Sequence, residues 1–180
     1  MGESRLRSVL GLLALSGTLT AGGVLLAFQV ELTLLPRTPS SGQLVVVGLV
    51  EESFVRLVPL IATFYVWSYL RGQLLTKTQG FLATVVSGLV VAGLELVLKL
   101  QYLSELETVA RFDSLLLPIV FVHLPFALIA GRFAYALGQR VHDTESISTP
   151  TLSRRTVALL VSGYLLLALA HVLYNSAVVA

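Results

Sequence analysis

Long apolar segments alternate with short polar connections along almost the whole chain. Each segment has about 20 apolar residues or more, the length that an α-helix needs to cross a hydrocarbon core of about 30 Å. The segments are residues 9–30, 43–70, 80–100, 114–138 and 156–179. The pattern predicts an all-α, polytopic transmembrane bundle of about five spans, forming a single domain over residues 1–180 without an internal repeat.

Two of these segments have features of their own. The first follows Arg5 and Arg7, as in a signal peptide, but its stretch of about 20 apolar residues exceeds the 7–15 of a signal-peptide core, so we expect it to be retained. The second is long for one crossing and contains Pro59. Because proline removes a backbone hydrogen bond, we expect a kink or break about a turn beyond Arg56.

Composition supports the membrane assignment. Hydrophobic residues make up 56% of the chain, charged residues 12%, and the mean hydropathy is +0.87, whereas soluble domains have about 25% charged residues. The chain has no cysteine, which excludes disulfides, thiolate metal sites and a cysteine nucleophile. The net charge of +2 is spread over short loops and forms no basic stripe, so the expected partner is the lipid bilayer and not nucleic acid.

The connections carry Lys and Arg unevenly, and this bias sets the orientation of multi-span proteins. One side has Arg5, Arg7, Arg71, Lys77, Arg140, Arg154 and Arg155, and the other has Arg37, Lys99 and Arg111. The distribution predicts a multi-pass cell-membrane protein with a cytoplasmic N-terminus.

The second segment contains three charged residues, Glu51, Glu52 and Arg56. A charge near the bilayer centre costs about 2.5–3.5 kcal/mol on insertion scales, so spans retain such groups when they pair, face a polar cavity or do chemistry. Counting from the outer ends of the other spans places Glu95, His123 and His171 at the same depth. The predicted functional site is therefore a shared polar layer nearer the outer face.

Residues four apart share one helical face. Glu52 and Arg56 are expected to pair, which leaves Glu51 pointing about 100° away as the freer carboxylate. His171 and Asn175 are also four apart, so they present an imidazole and an amide to the same cavity.

Two kinds of chemistry fit this set. Glu51, Glu95, His123 and His171 include the ligand types that Zn²⁺ accepts, and Zn²⁺ with an open position activates water. Alternatively, a glutamate acts as general base on water without a metal, while His and Asn donate hydrogen bonds to the oxyanion. Both alternatives lead to amide hydrolysis.

Four short motifs resemble a known family. Glu51-Glu52-x-x-x-Arg56 resembles the EExxxR/K motif of the CaaX-protease and bacteriocin-processing (CPBP/ABI) superfamily and its PrsW relatives. Gly88-x-x-Val91-Ala92-x-x-Glu95 is similar to the GxxFAxxE motif of the PrsW branch, whose His-containing helix is matched by His123 and Gly131. The segment from His171 to Asn175 resembles its closing HxxxN/D motif, so the resemblance covers about residues 47–175.

The resemblance implies a PrsW-like intramembrane protease that cuts a membrane-associated or prenylated protein. By motif position, Glu51 is the carboxylate that activates water, Glu52 and Arg56 are its structural and electrostatic partners, and His171 and Asn175 stabilise the oxyanion. Glu95 stands where the CaaX-protease branch has a histidine. The competing hypothesis is a non-enzymatic membrane protein that uses the same layer as a proton or ion relay or as a peptide-binding pocket.

Overall fold

The computed structural model describes residues 2–103, 122–142 and 153–179, and no strand occurs in these ranges. The α-helices are α1 (Gly2–Leu34), α2 (Ser40–Val50), α3 (Val58–Arg71), α4 (Lys77–Leu103), α5 (Leu124–His142) and α6 (Arg154–Val179). A short 3₁₀-helix, Leu35–Arg37, follows α1, and a π-helix, Glu51–Leu57, joins α2 to α3. The prediction of an all-α fold is confirmed for the described part of the chain.

Three stretches are long and apolar enough to cross a membrane: Leu6–Arg37, Lys77–Val97 and Val157–Tyr174. They correspond to the first, third and fifth predicted spans. The fourth predicted span, residues 114–138, falls within the described part only from residue 122. Several leucines of α6 face outward, among them Leu166 at 67% exposure, and this apolar exterior is compatible with an integral membrane protein.

The second predicted span is not one regular α-helix. Its central π-helix ends at Leu57, two residues before Pro59. Proline has no backbone N–H to donate, and its ring crowds the carbonyl of the residue four positions earlier, which here is Val55. A π turn, hydrogen-bonded from residue i to i+5, is a common way of accommodating such a disturbance. A kink or break was expected beyond Arg56, and the irregular segment instead includes Glu51, Glu52 and Arg56 themselves.

Helix α1 is held against α4 by buried hydroxyl groups. The Ser16 hydroxyl donates to the Ala83 carbonyl at 2.8 Å, and the Thr20 hydroxyl donates to the Ser87 hydroxyl at the same distance. Small polar side chains of this kind allow helices to approach closely and satisfy each other's hydrogen bonds in apolar surroundings. These bonds fix the first helix as part of the bundle.

Nearer the C-terminal end of α1 than these bonds, the helix contacts the π-helix at Gly23. A Cβ atom on Gly23 would overlap the Phe54 carbonyl oxygen and would lie 2.7 Å from Cγ of Pro59. The neighbouring Gly22 has open space at the same position, with nothing within 4 Å. Only the missing side chain at Gly23 lets the backbone of α1 lie directly against the π-helix.

The small residues near His123 also serve close packing. A Cβ atom on Gly88 of α4 would lie 3.0 Å from Cβ of Ala127, and one on Gly131 would overlap the Thr84 side chain. Helix α5 therefore packs closely against the small residues of α4. This contact positions the start of α5, next to His123.

The two adjacent glycines of α1 provide a matched stability test. Alanine at either position gains about 1 kcal/mol of intrinsic helix stability over glycine, but at Gly23 its methyl group must displace the π-helix. We expect Gly23→Ala to be less stable than Gly22→Ala by about 1–3 kcal/mol. Denaturant unfolding of both variants in the same detergent measures this difference, and equal stability would contradict the packing described here.

Candidate active site

The centre of the site is an ion pair within the π-helix. Arg56 Nη1 donates a hydrogen bond to Oε1 of Glu52, and each side chain is only 1% exposed. A charge removed from water in this way is tolerated when an opposite charge and further hydrogen bonds compensate for its lost hydration. The structure thus shows the pairing that the four-residue spacing predicts.

His171 of α6 contacts both glutamates of the run. Its Nε2 lies 2.8 Å from Oε2 of Glu51, and its Nδ1 lies 2.8 Å from Oε1 of Glu52. Carboxylate oxygens only accept hydrogen bonds, so Nε2 donates to Glu51. Nδ1 faces both Oε1 of Glu52 and, at 3.2 Å, Nη1 of Arg56. Helical spacing predicts that Glu51 points about 100° away from Glu52, and the structure shows the two side chains meeting opposite nitrogens of one imidazole.

His123 continues the network on the other side of Arg56. Its Nδ1 lies 2.9 Å from Arg56 Nη2, and its Nε2 contacts Oε2 of Glu95. Because a guanidinium can only donate, Nδ1 must accept, and the ring proton therefore lies on Nε2, where it is donated to Glu95. These contacts fix the tautomer of His123.

Phe126 covers the network from α5. The guanidinium carbon of Arg56 lies 5.4 Å from the centre of its ring, and the His171 ring meets it edge to face at 6.0 Å. Both contacts suit the negative face of an aromatic ring, which attracts cations and ring edges. Phe126 therefore holds Arg56 and His171 in position and shields them from solvent.

A cavity of about 80 Å³ opens beside this network. Its polar lining comes from Glu31, Glu51, Arg56, Glu95 and His123. A single water needs roughly 10–15 Å³ of such space, so the cavity has room for several. Glu51 is 31% exposed whereas Glu52 is 1% exposed, and the carboxylate that meets the cavity is therefore the one that spacing identified as freer.

Six of the seven residues proposed from sequence lie in this one network: Glu51, Glu52, Arg56, Glu95, His123 and His171. They come from the π-helix, α4, α6 and the residue that precedes α5, and the structure brings them into contact. Asn175 lies in α6, and its side chain is outside the described part of the structure.

Sequence reasoning missed three contributors to the site. Glu31 is the polar residue that α1 contributes to the cavity lining. Its signal in the sequence was a carboxylate directly after the first predicted span. Phe126 lies one helical turn after His123, which places it on the same face. Tyr164 donates to the Leu49 carbonyl at 3.1 Å and lies 2.8 Å from the Ser53 hydroxyl, contacts that anchor the π-helix to α6 and have no signal in the sequence.

The described side chains do not offer a metal site. Among residues 2–103, 122–142 and 153–179, no group of three or more His, Asp and Glu residues has an arrangement that could hold a metal ion. Each nitrogen of His123 and His171 already faces a protein group, and the Arg56 guanidinium lies between the two rings. The donor set therefore does not fit Zn²⁺, and the chemistry must be derived without it.

The central ion pair predicts a particular stability pattern. Arg56→Gln leaves Glu52 buried without its charge partner, which we expect to lower the free energy of unfolding by about 3–5 kcal/mol. The double variant Glu52→Gln/Arg56→Gln removes both charges and should recover part of that loss. Thermal or denaturant unfolding in detergent measures both effects.

Arg71→Gln is the matched control for that experiment. Arg71 is exposed and stacks over Trp67 at 5.5 Å, so its loss should cost about 1 kcal/mol or less. A double variant less stable than Arg56→Gln alone would contradict the interpretation that the unpaired charge dominates.

Comparison with known proteins leaves this site to be interpreted from its own geometry. No family model, curated protein or solved structure matches the chain.

Proposed function

We propose that this protein is an intramembrane endopeptidase of the PrsW and CaaX-protease type, hydrolysing a peptide bond of a membrane-embedded or membrane-anchored protein. The observation that supports this most directly is a carboxylate, Glu51, held by His171 at the edge of a cavity of about 80 Å³ within an apolar helical bundle. Motif resemblance supports the same function, because the paired residues of the network are those of the EExxxR/K, GxxFAxxE and HxxxN/D motifs.

The proposal includes a topology. The five apolar segments suggest five spans, and the distribution of Lys and Arg suggests a cytoplasmic N-terminus. In this orientation the site lies in the half of the bilayer nearer the outer face of the cell membrane, and the substrate bond must enter from the membrane or from that face. The cavity between α1, the π-helix and α4 is the space in which we propose the bond is bound.

Glu51 is the proposed general base. A carboxylate within hydrogen-bonding reach of a water can take its proton as the water attacks the peptide carbonyl. His171 contacts Glu51 and Glu52 through opposite ring nitrogens, so its role here is to orient Glu51 and balance its charge. With both nitrogens engaged, His171 must release one contact before it can donate to an oxyanion.

Arg56 is better placed to provide positive charge near the developing oxyanion. It lines the cavity, and its Nε–H has no acceptor among the described groups. A donor held rigidly in surroundings of low dielectric stabilises new negative charge without reorganisation. Asn175 remains the second proposed donor, from its motif position.

The same network favours one alternative function. Glu51, His171, Glu52, Arg56, His123 and Glu95 form an unbroken series of polar contacts through the bundle. Series of carboxylates and imidazoles of this kind conduct protons in pumps and transporters. A proton relay is therefore the second candidate, and it requires no bond cleavage.

Replacing Glu51 separates the two functions. With a fluorogenic transmembrane peptide that the wild-type protein cleaves in liposomes, we expect Glu51→Gln to lower kcat by about 10²–10⁴-fold, the contribution typical of a general base. His171→Ala should also lower kcat, because Glu51 loses its orienting partner. The exposed substitution Tyr69→Phe, made at the far end of α3, should leave cleavage unchanged.

Two readouts in the same liposomes test the alternatives. Cleavage that is undiminished in Glu51→Gln would contradict the catalytic assignment, and proton flux reported by an entrapped pH dye without any cleavage would support the relay. Because the side chains do not fit a metal ion, we also expect cleavage to persist after treatment with chelators. Loss of activity that Zn²⁺ restores would contradict that expectation.

A further inference from the structure

Glu31 is a carboxylate of the cavity to which the proposed mechanism gives no role. It lies near the end of α1 and lines the cavity together with Glu51 and Glu95. Its Oε1 atom is buried and has no hydrogen-bond partner among the described groups. A buried polar atom without a partner calls for an explanation, such as a bound water or a catalytic role.

The position of Glu31 follows from the packing of α1. Gly23, Ala27 and Glu31 are spaced four apart and share one helical face. Gly23 touches the π-helix, and Ala27 is 3% exposed in the apolar cluster beside it. The face that packs against the π-helix therefore ends with a carboxylate above the cavity, which makes α1 part of the site although the motif resemblance does not include it.

The surroundings of Glu31 bring two carboxyl groups to one small space. Glu31 interacts electrostatically with Glu51 of the π-helix and with His171 of α6. The same cavity is bordered by Arg56, by Glu95 of α4 and by His123. Of these groups, Glu51 has His171 as hydrogen-bond donor, Glu95 has His123, and Oε1 of Glu31 has none. Two carboxyl groups at one site favour a state in which one is ionised and the other keeps a proton.

A second observation indicates that the cavity accommodates a polar ligand. Arg56 is 1% exposed and lines the cavity, yet its Nε–H lacks an acceptor. The side chains of Arg56 and Glu31 thus both line the cavity, and each also has one buried polar atom without a partner among the described groups. A peptide bond has the complementary groups, since its carbonyl oxygen accepts and its nitrogen takes up a proton when the bond breaks.

We propose that Glu31 is a second catalytic carboxyl group of this site and that it donates the proton taken up by the leaving nitrogen. This assignment rests on the proposed endopeptidase function and adds that two different carboxyl groups act as base and acid. Glu51 is the base, and Glu31 is the acid.

The proposed hydrolysis proceeds through a tetrahedral intermediate. Glu51 takes one proton from water while the water oxygen bonds to the carbonyl carbon, and the C=O π electrons move onto the carbonyl oxygen. When the tetrahedral intermediate collapses, that pair re-forms the C=O bond, the C–N bond breaks, and its electrons remain on nitrogen, which receives the proton of Glu31. The products are a carboxylic acid and an amine, and transfer of the proton from Glu51 to Glu31 through cavity water restores the starting state.

A pair of probes distinguishes the acid from the base. The first probe is a fluorogenic transmembrane peptide that the wild-type protein cleaves, and the second has an ester in place of the scissile amide. An amide nitrogen must be protonated to leave, whereas an alkoxide leaves much more readily without that help. We expect Glu31→Gln to lower kcat for the amide by about 100-fold or more and to change kcat for the ester by far less, whereas Glu51→Gln lowers both.

The two variants also distinguish a failure of the proposed acid role of Glu31 from a failure of the proposed endopeptidase function. If Glu51→Gln lowers both rates and Glu31→Gln lowers neither or both equally, the endopeptidase assignment stands and the role of Glu31 is refuted. If Glu51→Gln cleaves both probes normally, the proposed function itself fails, and the role of Glu31 fails with it. Gln29→Ala, an exposed substitution two residues away on α1, is the control and should match the wild type on both probes.

Infrared spectroscopy gives a readout that needs no substrate. The carbonyl stretch of a protonated carboxyl group is distinct from the bands of a carboxylate. At neutral pH, the difference spectrum between wild type and Glu31→Gln should contain the band of a lost protonated carboxyl group. Loss of carboxylate bands alone would show that Glu31 is ionised, which would overturn its assignment as the acid.

Discussion

The structure depends on one buried ion pair. Glu52 and Arg56 are both 1% exposed, and such charges are stable away from water only while each compensates the other. Every other polar group of the site is arranged around that pair. His171 shares Oε1 of Glu52 with Arg56, and His123 accepts from the free arm of the guanidinium. The contacts that stabilise the buried charges of Glu52 and Arg56 therefore also hold Glu51 in position through His171.

The backbone makes this geometry possible. Within the π-helix before Pro59, Glu51 and Glu52 both meet His171. The wider turn also brings the Phe54 carbonyl up against α1, and Gly23 is the position at which α1 can accept it. The close approach of α1 and the contacts of Glu51 and Glu52 with His171 therefore involve the same seven-residue segment, Glu51–Leu57.

Much of this arrangement could be predicted from sequence because apolar length and helical spacing are local properties. The helices and the Glu52–Arg56 pair follow from counting residues, and counting also predicted that Glu95, His123 and His171 belong to the same site. The π-helix does not, because proline indicates a disturbance without specifying how the backbone accommodates it. Glu31 was missed because it stands at the end of a span, where a carboxylate is ordinarily solvated, and only the packing at Gly23 brings it to the cavity.

The central claim is that water activated by Glu51 attacks the peptide bond directly. A single-turnover reaction in H₂¹⁸O, with a transmembrane peptide as substrate and mass spectrometry of the products, tests this claim most directly. Direct attack places one ¹⁸O atom in the new carboxyl terminus and none in the side chain of Glu51. Label in Glu51 after the first turnover, or proton flux without any new carboxyl terminus, would contradict it.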